Sequence, residues 1–279
     1  MKFLRYGSAG SERPGLIDGD GHIRDLSGVV DDIGGRWLAD LSWTRSLDPS
    51  QLPLVEAGER LGPCVAGTGK FICIGLNYAD HAAESGLEVP PEPVIFMKAT
   101  SAICGPNDDV LIPRGSTATD WEVELGVVIG KPAKYISEEQ ALEHVAGYCV
   151  VNDVSERDFQ TKRSGQWTKG KSCDTFGPIG PWLVTRDEVA NPQKLKMWLK
   201  VSGEMKQNGS TETMVYGVAH VISYLSQFMT LHPGDIVSTG TPPGVGQGFK
   251  PPRYLKAGDI VELGIEGLGT QRQVFRDDI

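Results

Sequence analysis

The sequence predicts an α+β fold dominated by strands, and three observations carry that prediction. Most apolar runs are short and alternating, as at Val123–Ile129 and Ile260–Ile265, which is the two-residue period of strands packed on one face. Gly or Pro bounds these runs, and the 35 Gly and 18 Pro of the 279 residues form no short repeat, so they read as turns. Helix signals are confined to two segments.

Residues 1–65 read as a small N-terminal β-rich domain. Phe3-Leu4-Arg5-Tyr6 is strand-like, the Asp-Gly pairs in Ile17-Asp18-Gly19-Asp20-Gly21-His22-Ile23 favour a hairpin, and Leu26 and Val29-Val30 add apolar positions. A Pro/Gly-rich passage over 60–70 then leads into Phe71-Ile72-Cys73-Ile74-Gly75, read as a buried strand. The boundary is placed there, with residues 66–279 as the second domain. Ser137-Glu138-Glu139-Gln140 has capping-box spacing and is followed by Ala141, Leu142 and Val145, which predicts a helix ending near Gly147. A second helix is predicted over 218–228, where Val218, Val221, Ile222, Leu225 and Phe228 form a stripe expected to face the core.

A net charge of −9 argues against a general nucleic-acid binder, which neutralises phosphates with Lys and Arg. No segment reaches the ~20 apolar residues that span a bilayer. The first residues lack the apolar stretch of a signal peptide. Five cysteines with no CxxC pair and no His/Cys cluster at zinc spacing suit reduced thiols and a cytoplasmic setting.

In the strand Trp121-Glu122-Val123-Glu124-Leu125 the two-residue period puts Glu122 and Glu124 on one face. Adjacent carboxylates repel unless a cation stands between them, and their hard oxygens suit Mg²⁺, Mn²⁺ or Ca²⁺ better than zinc. Alone, the pair also reads as the solvated face of an edge strand. Asp153 ends another apolar run, where it could serve a site or merely cap a turn. His81 and Glu84, three apart, meet if that stretch is helical, as a surface pair or as a base and its orienting acid. Between Arg157 and Lys171 stand Arg157, Lys162, Arg163, Lys169 and Lys171 against one acid, Asp158. That loop is either solvated or suited to an anionic substrate. Thr239-Gly240-Thr241-Pro242-Pro243-Gly244-Val245-Gly246 could bring backbone N–H groups to a ligand or form an ordinary turn, and it does not match a P-loop.

Several of these passages stand in one order: Gly75-Leu76-Asn77-Tyr78-Ala79-Asp80-His81-Ala82-Ala83-Glu84, Pro93-Val94-Ile95-Phe96-Met97-Lys98, the Trp-Glu-Val-Glu-Leu strand, Val151-Asn152-Asp153-Val154-Ser155-Glu156-Arg157-Asp158 and the Thr/Gly/Pro segment. Over roughly residues 70–270 the chain thereby resembles the fumarylacetoacetate hydrolase superfamily. The resemblance implies a mixed β-sandwich roll and a homodimer or dimer of dimers. It implies Mg²⁺ or Mn²⁺ on Glu122, Glu124 and Asp153, a catalytic His81/Glu84 dyad, and Lys171 as the group stabilising an oxyanion. It further implies that Tyr78, Lys98, Arg157, Asp158, Gln160 and Thr241 bind a small anionic 2-oxo acid. Fumarylacetoacetate hydrolase proper has a further acidic ligand near where Asn77 falls here, so fumarylacetoacetate itself is not the expected substrate.

The reaction expected on this basis is hydrolysis of a carbon–carbon bond in a 2,4-dioxo acid, giving pyruvate and a second acid. A 2,4-diketo-3-deoxy sugar acid derived from rhamnose or fucose is the first substrate expected, with acylpyruvates next. Oxaloacetate decarboxylation, ureidoglycolate cleavage and a non-catalytic metal- or ligand-binding role are the alternatives.

Overall fold

The structure is a computed structural model that describes residues 1–80 and 89–279. Its main sheet is mixed. From one edge it runs Ile23–Asp25, Arg13–Ile17, Lys2–Tyr6, Gly177–Thr185, Val145–Asn152, Val123–Ile129, Ile236–Ser238, Phe71–Gly75 and Val94–Lys98, with Ile103–Cys104 pairing beside Gly177–Thr185. A second sheet runs Glu204–Ser210, Lys196–Val201, Ile260–Ile265, Gly269–Asp277 and Val110–Ile112. The β-rich class expected from the chain is the class observed. No helix among the described residues is long and apolar enough to cross a membrane.

The two sheets enclose the larger core. Val123, Leu125 and Val127 of the first meet Met197, Leu199, Val261 and Leu263 of the second, together with Val221, Ile222 and Leu225 of the helix Val218–Phe228. Each of these side chains, fully buried, contributes roughly 1.5–3 kcal/mol. A second core forms around Phe3, Leu16, Leu26, Val30 and Ile33 from the N-terminal residues, with Phe71, Cys73, Val128, Cys149 and Leu183. The N-terminal strands join the main sheet directly, Lys2 opposite Val184 and Phe3 opposite Leu183. The predicted hairpin is present, with Ile17 opposite Ile23 across the Asp-Gly turn. Residues 1–65 also hold the helix Gly35–Ala39 and short 3-10 turns, and Leu26 and Val30 are buried outside any strand.

Two expectations need correction. The helix begins at the expected capping box but spans Glu138–Ala141, followed by a 3-10 turn and then the strand Val145–Asn152. Val145 pairs with Ile129, and the backbone at Gly147 lies so close to the Val184 carbonyl that a side chain there would collide with it. Sheet pairing over a β-branched run overrides a weak helical tendency, and Gly147 serves strand packing rather than a helix end. Phe228 is 62% exposed and packs edge-on to Tyr224 instead of joining the core.

Candidate active site

The strand Val123–Ile129 lies inside the main sheet and every one of its residues is buried. Glu122 and Glu124, on one face of this segment, are likewise buried, so the solvated-edge reading of the pair fails. Register brings the third acid. Val151 lies opposite Glu124, Asn152 opposite Val123, and the Asp153 N–H donates to the Glu122 carbonyl at 2.9 Å. Carboxylate oxygens of Glu122, Glu124 and Asp153 consequently all lie within 4.8 Å of one another.

Cations interleave with these acids. Lys171 Nζ donates to Glu122 Oε2 at 2.6 Å and Asp153 Oδ2 at 2.7 Å. Lys98 Nζ reaches Asp153 Oδ1 at 2.5 Å and the Val154 carbonyl at 3.0 Å. Arg157 donates from Nη2 to Glu122 Oε1 at 2.7 Å, from Nε to Asp120 Oδ2 at 2.8 Å and from Nη1 to Gln160 Oε1 at 3.0 Å. Burial opposes charge on Lys171, yet Asp153 and Glu122 more than offset it and raise its pKa. Arg157 behaves likewise beside Glu122 and Asp120. Glu124 is the exception: burial, then Asp153 and Glu122, push its carboxyl well above the usual range, although Ser238 Oγ (2.6 Å) and the Gly240 N–H (2.9 Å) donate to it.

The donor set fits a hard divalent ion. Its convergent groups are carboxylates, and burial, followed by the nearby Asp153 charge, raises the Cys73 thiol so that no thiolate competes. In this cluster Asp120, Glu122, Glu124 and Asp153 stand against Lys98, Arg157 and Lys171. With Glu124 ionised, as a metal ligand must be, four acids against three bases leave one negative charge, which a divalent cation would invert to a positive site for an anion.

A cavity of about 550 Å³ opens on this cluster, lined by Glu122, Glu124, Arg157, Gln160, Lys171 and Thr241 among others. The structure thus brings together most of the residues the sequence singled out, in roles that differ. Lys98 sits behind Asp153, fully buried, and is absent from the lining. Thr241 lines the cavity, but its hydroxyl donates to the Val123 carbonyl at 2.9 Å and accepts from Gln207 at 2.8 Å. That hydroxyl proton is spent within the fold rather than held for a carboxylate.

Besides Lys98, two more expected substrate contacts are not brought to the cavity. Tyr78 is buried in the larger core, its hydroxyl on the Met197 sulfur at 3.3 Å, because its aromatic ring gains more from apolar packing than from the wet cavity. Asp158 pairs with Lys162 at 2.8 Å at the surface. His81 and Glu84 lie outside the described residues. Asn77 is a clamp: its Nδ2 donates to the carbonyls of Tyr216 (3.0 Å) and Thr239 (2.8 Å), and its Oδ1 accepts from the Tyr216 N–H (2.8 Å).

Sequence reasoning missed Asp120, which receives the N–H groups of Gly246 and Gln247 as well as Arg157. The two-residue period that paired Glu122 with Glu124 extends back to Asp120 and could have found it. Trp167, Phe96 and Phe249 in the lining left no such signal, since they come from separate loops and strands.

The sequence model described as fumarylacetoacetate (FAA) hydrolase C-terminal matches residues 70–276. The chain belongs to the fumarylacetoacetate hydrolase family. Within the family it is 64% identical to a Burkholderia multivorans protein provisionally named hydrolase, over 99% of both chains. A Mycobacterium abscessus structure provisionally named 2-hydroxyhepta-2,4-diene-1,7-dioate isomerase is 35% identical, with a TM-score of 0.86 and complete coverage of both chains. The maleylpyruvate hydrolase of Sphingobium sp. SYK-6, solved with manganese(II) and pyruvate, is 28% identical with a TM-score of 0.84, again over both full chains. Hydrolases and isomerases of this family therefore share the fold described above.

Proposed function

We propose that this protein is a hydrolase dependent on Mg²⁺ or Mn²⁺, which cleaves a carbon–carbon bond of a 2,4-dioxo acid to give pyruvate and a second carboxylic acid. The observation that carries this reading is the convergence of three buried carboxylates beside a buried lysine, with Glu122, Glu124 and Lys171 lining one cavity and Asp153 in contact behind them. Manganese and pyruvate in the Sphingobium relative support it. Glu122, Glu124 and Asp153 would hold the cation. When bound, it would supply a Lewis acid that polarises substrate oxygens.

The chain's own residues supply the rest. Arg157 fixes Glu122 from one side and Lys98 fixes Asp153 from another, so the acids are held in place before substrate arrives. The Lys171 ammonium, which lines the cavity, is assigned to the oxygen that turns negative as water adds at C4. His81, oriented by Glu84, is assigned the proton of that water. The C3–C4 bond then breaks, its electron pair passes to C3, and C3 takes a proton to complete pyruvate. No described residue accepts from Gln160 Nε2, which leaves that amide for a substrate oxygen.

The test is product analysis with acetylpyruvate, a 2,4-diketo-3-deoxy sugar acid and oxaloacetate, in Mg²⁺ or Mn²⁺ and in chelator. Pyruvate with a second acid, abolished by chelator, is expected. Pyruvate with CO₂ from oxaloacetate alone would indicate a decarboxylase, and glyoxylate with urea from ureidoglycolate a lyase. The isomerase name of the Mycobacterium relative favours one further reading, a double-bond shift in a dienoic diacid without cleavage. A homodimer is part of the same proposal and is checked by sedimentation.

A further inference from the structure

The charged groups of the cavity and its apolar walls come from different residues. Glu122, Glu124, Arg157 and Lys171 belong to the acid cluster, Gln160, Thr161, Gln247 and Lys250 add polar groups, and one side is hydrocarbon and aromatic, with Ile74, Leu76, Phe96, Trp167 and Phe249. Among the described lining residues the only carboxylates are Glu122 and Glu124. A dioxo acid with its anionic head at the cluster meets hydrocarbon and aromatic surface wherever its acyl group turns to this side, and a hydroxyl held against that surface finds no partner on it.

Trp167 is held firmly in this wall. Its ring meets Phe96 edge-on at 5.2 Å. Its six-membered ring sits against Gly75, where an added Cβ would come within 2.5 Å of the indole, so the absence of a side chain admits the ring. The segment carrying it runs from Arg157 to Lys171, and both of those residues bind Glu122. The strap is thus pinned at each end to the same acid.

We propose that Trp167, seated on Gly75 and Phe96, forms the acyl-side wall of the site and makes it select 2,4-dioxo acids with an apolar C4 acyl group over those whose acyl group carries several hydroxyls. This deepens, and rests on, the hydrolase reading above. The test measures kcat/KM in Mn²⁺ for acetyl-, butanoyl- and hexanoylpyruvate and for a polyhydroxylated acyl analogue as long as the last. In the parent, kcat/KM rises with chain length, by up to about fourfold per buried methylene, and the polyhydroxylated analogue falls below hexanoylpyruvate. In Trp167→Ala the hexanoyl-to-acetyl ratio falls by about tenfold or more. Gly75→Ala, which displaces the indole without deleting it, lowers the same ratio. If that variant does not fold, as judged by circular dichroism, Trp167→Ala decides alone. A parent that cleaves acetylpyruvate but shows a flat or inverted series, or a Trp167→Ala protein that keeps the parent's ratio, overturns this inference and leaves the hydrolase reading standing. Failure to cleave any of these acids overturns both.

Discussion

Replacing Glu124 by Gln should stabilise the metal-free protein while abolishing its response to Mn²⁺. Burial, Asp153 and Glu122 raise the Glu124 pKa above its ordinary 4.5. For such an acid the folded state binds more protons than the unfolded state, so stability falls as pH rises from the unfolded value through the folded one. At alkaline pH the whole cost is present. Two carboxylates whose oxygens lie within 4.8 Å of one another repel by about 3.5 kcal/mol or more at an effective dielectric constant near 20. Glu124 faces two such neighbours, and Lys171 offsets part of that, which leaves roughly 2–4 kcal/mol. A glutamine removes the charge but keeps an oxygen for Ser238 and Gly240 to donate to. In chelator at alkaline pH, Glu124→Gln should then melt higher than the parent by roughly 4–8 °C. With Mn²⁺ at a hundredfold its Kd the parent should gain about 2.7 kcal/mol, and the variant nothing. Thermal melts read by circular dichroism, with EDTA or MnCl₂ across a pH series, check both halves. A variant that melts below the parent in EDTA, or that retains the Mn²⁺ shift, would refute the account of three acids sharing one cation.

Lys171→Ala should lower kcat on acetylpyruvate by about 10²–10³-fold, while Mn²⁺ binding followed by electron paramagnetic resonance persists, because the ammonium contacts two of the acids without being a ligand itself; a kcat near that of the parent would remove Lys171 from the mechanism. Lys98→Met strips a fully buried partner from Asp153 and should cost about 3–5 kcal/mol of stability in chelator; an unchanged denaturation midpoint would show the pair to be dispensable. Asn77→Asp cannot donate to the Tyr216 and Thr239 carbonyls and should cost about 1–3 kcal/mol, so equal stability would contradict the clamp.

Local pattern carried far in some places and failed in others. The helix Val218–Phe228 and the strand Val123–Ile129 were legible because each repeats a period within a few residues, and Phe71–Gly75 because it is a short apolar run after a Pro/Gly-rich passage. The end of the helix after Ser137 was not, since Val145 and Gly147 answer to Ile129 and Val184, strands away in space. Tyr78 illustrates the same limit at the site. It sits among the residues that marked the family, yet packing turns its ring into the core and away from the cavity.

From the chain alone came the β-rich class, the family, and the acids, lysines and arginine from which the site is assembled, because residue type and short spacing are properties of the chain itself. Tertiary structure decided how they meet. The pairing of Val145–Asn152 with Val123–Ile129 sets Asp153 beside Glu122, while the pairing of Phe71–Gly75 with Val94–Lys98 carries Lys98, which is buried against Asp153, and the Gly75 and Phe96 on which Trp167 sits. A one-residue slip in that register would turn each side chain to the opposite face, and nothing in the local order of residues specifies it. The distant strands and the core beneath them do.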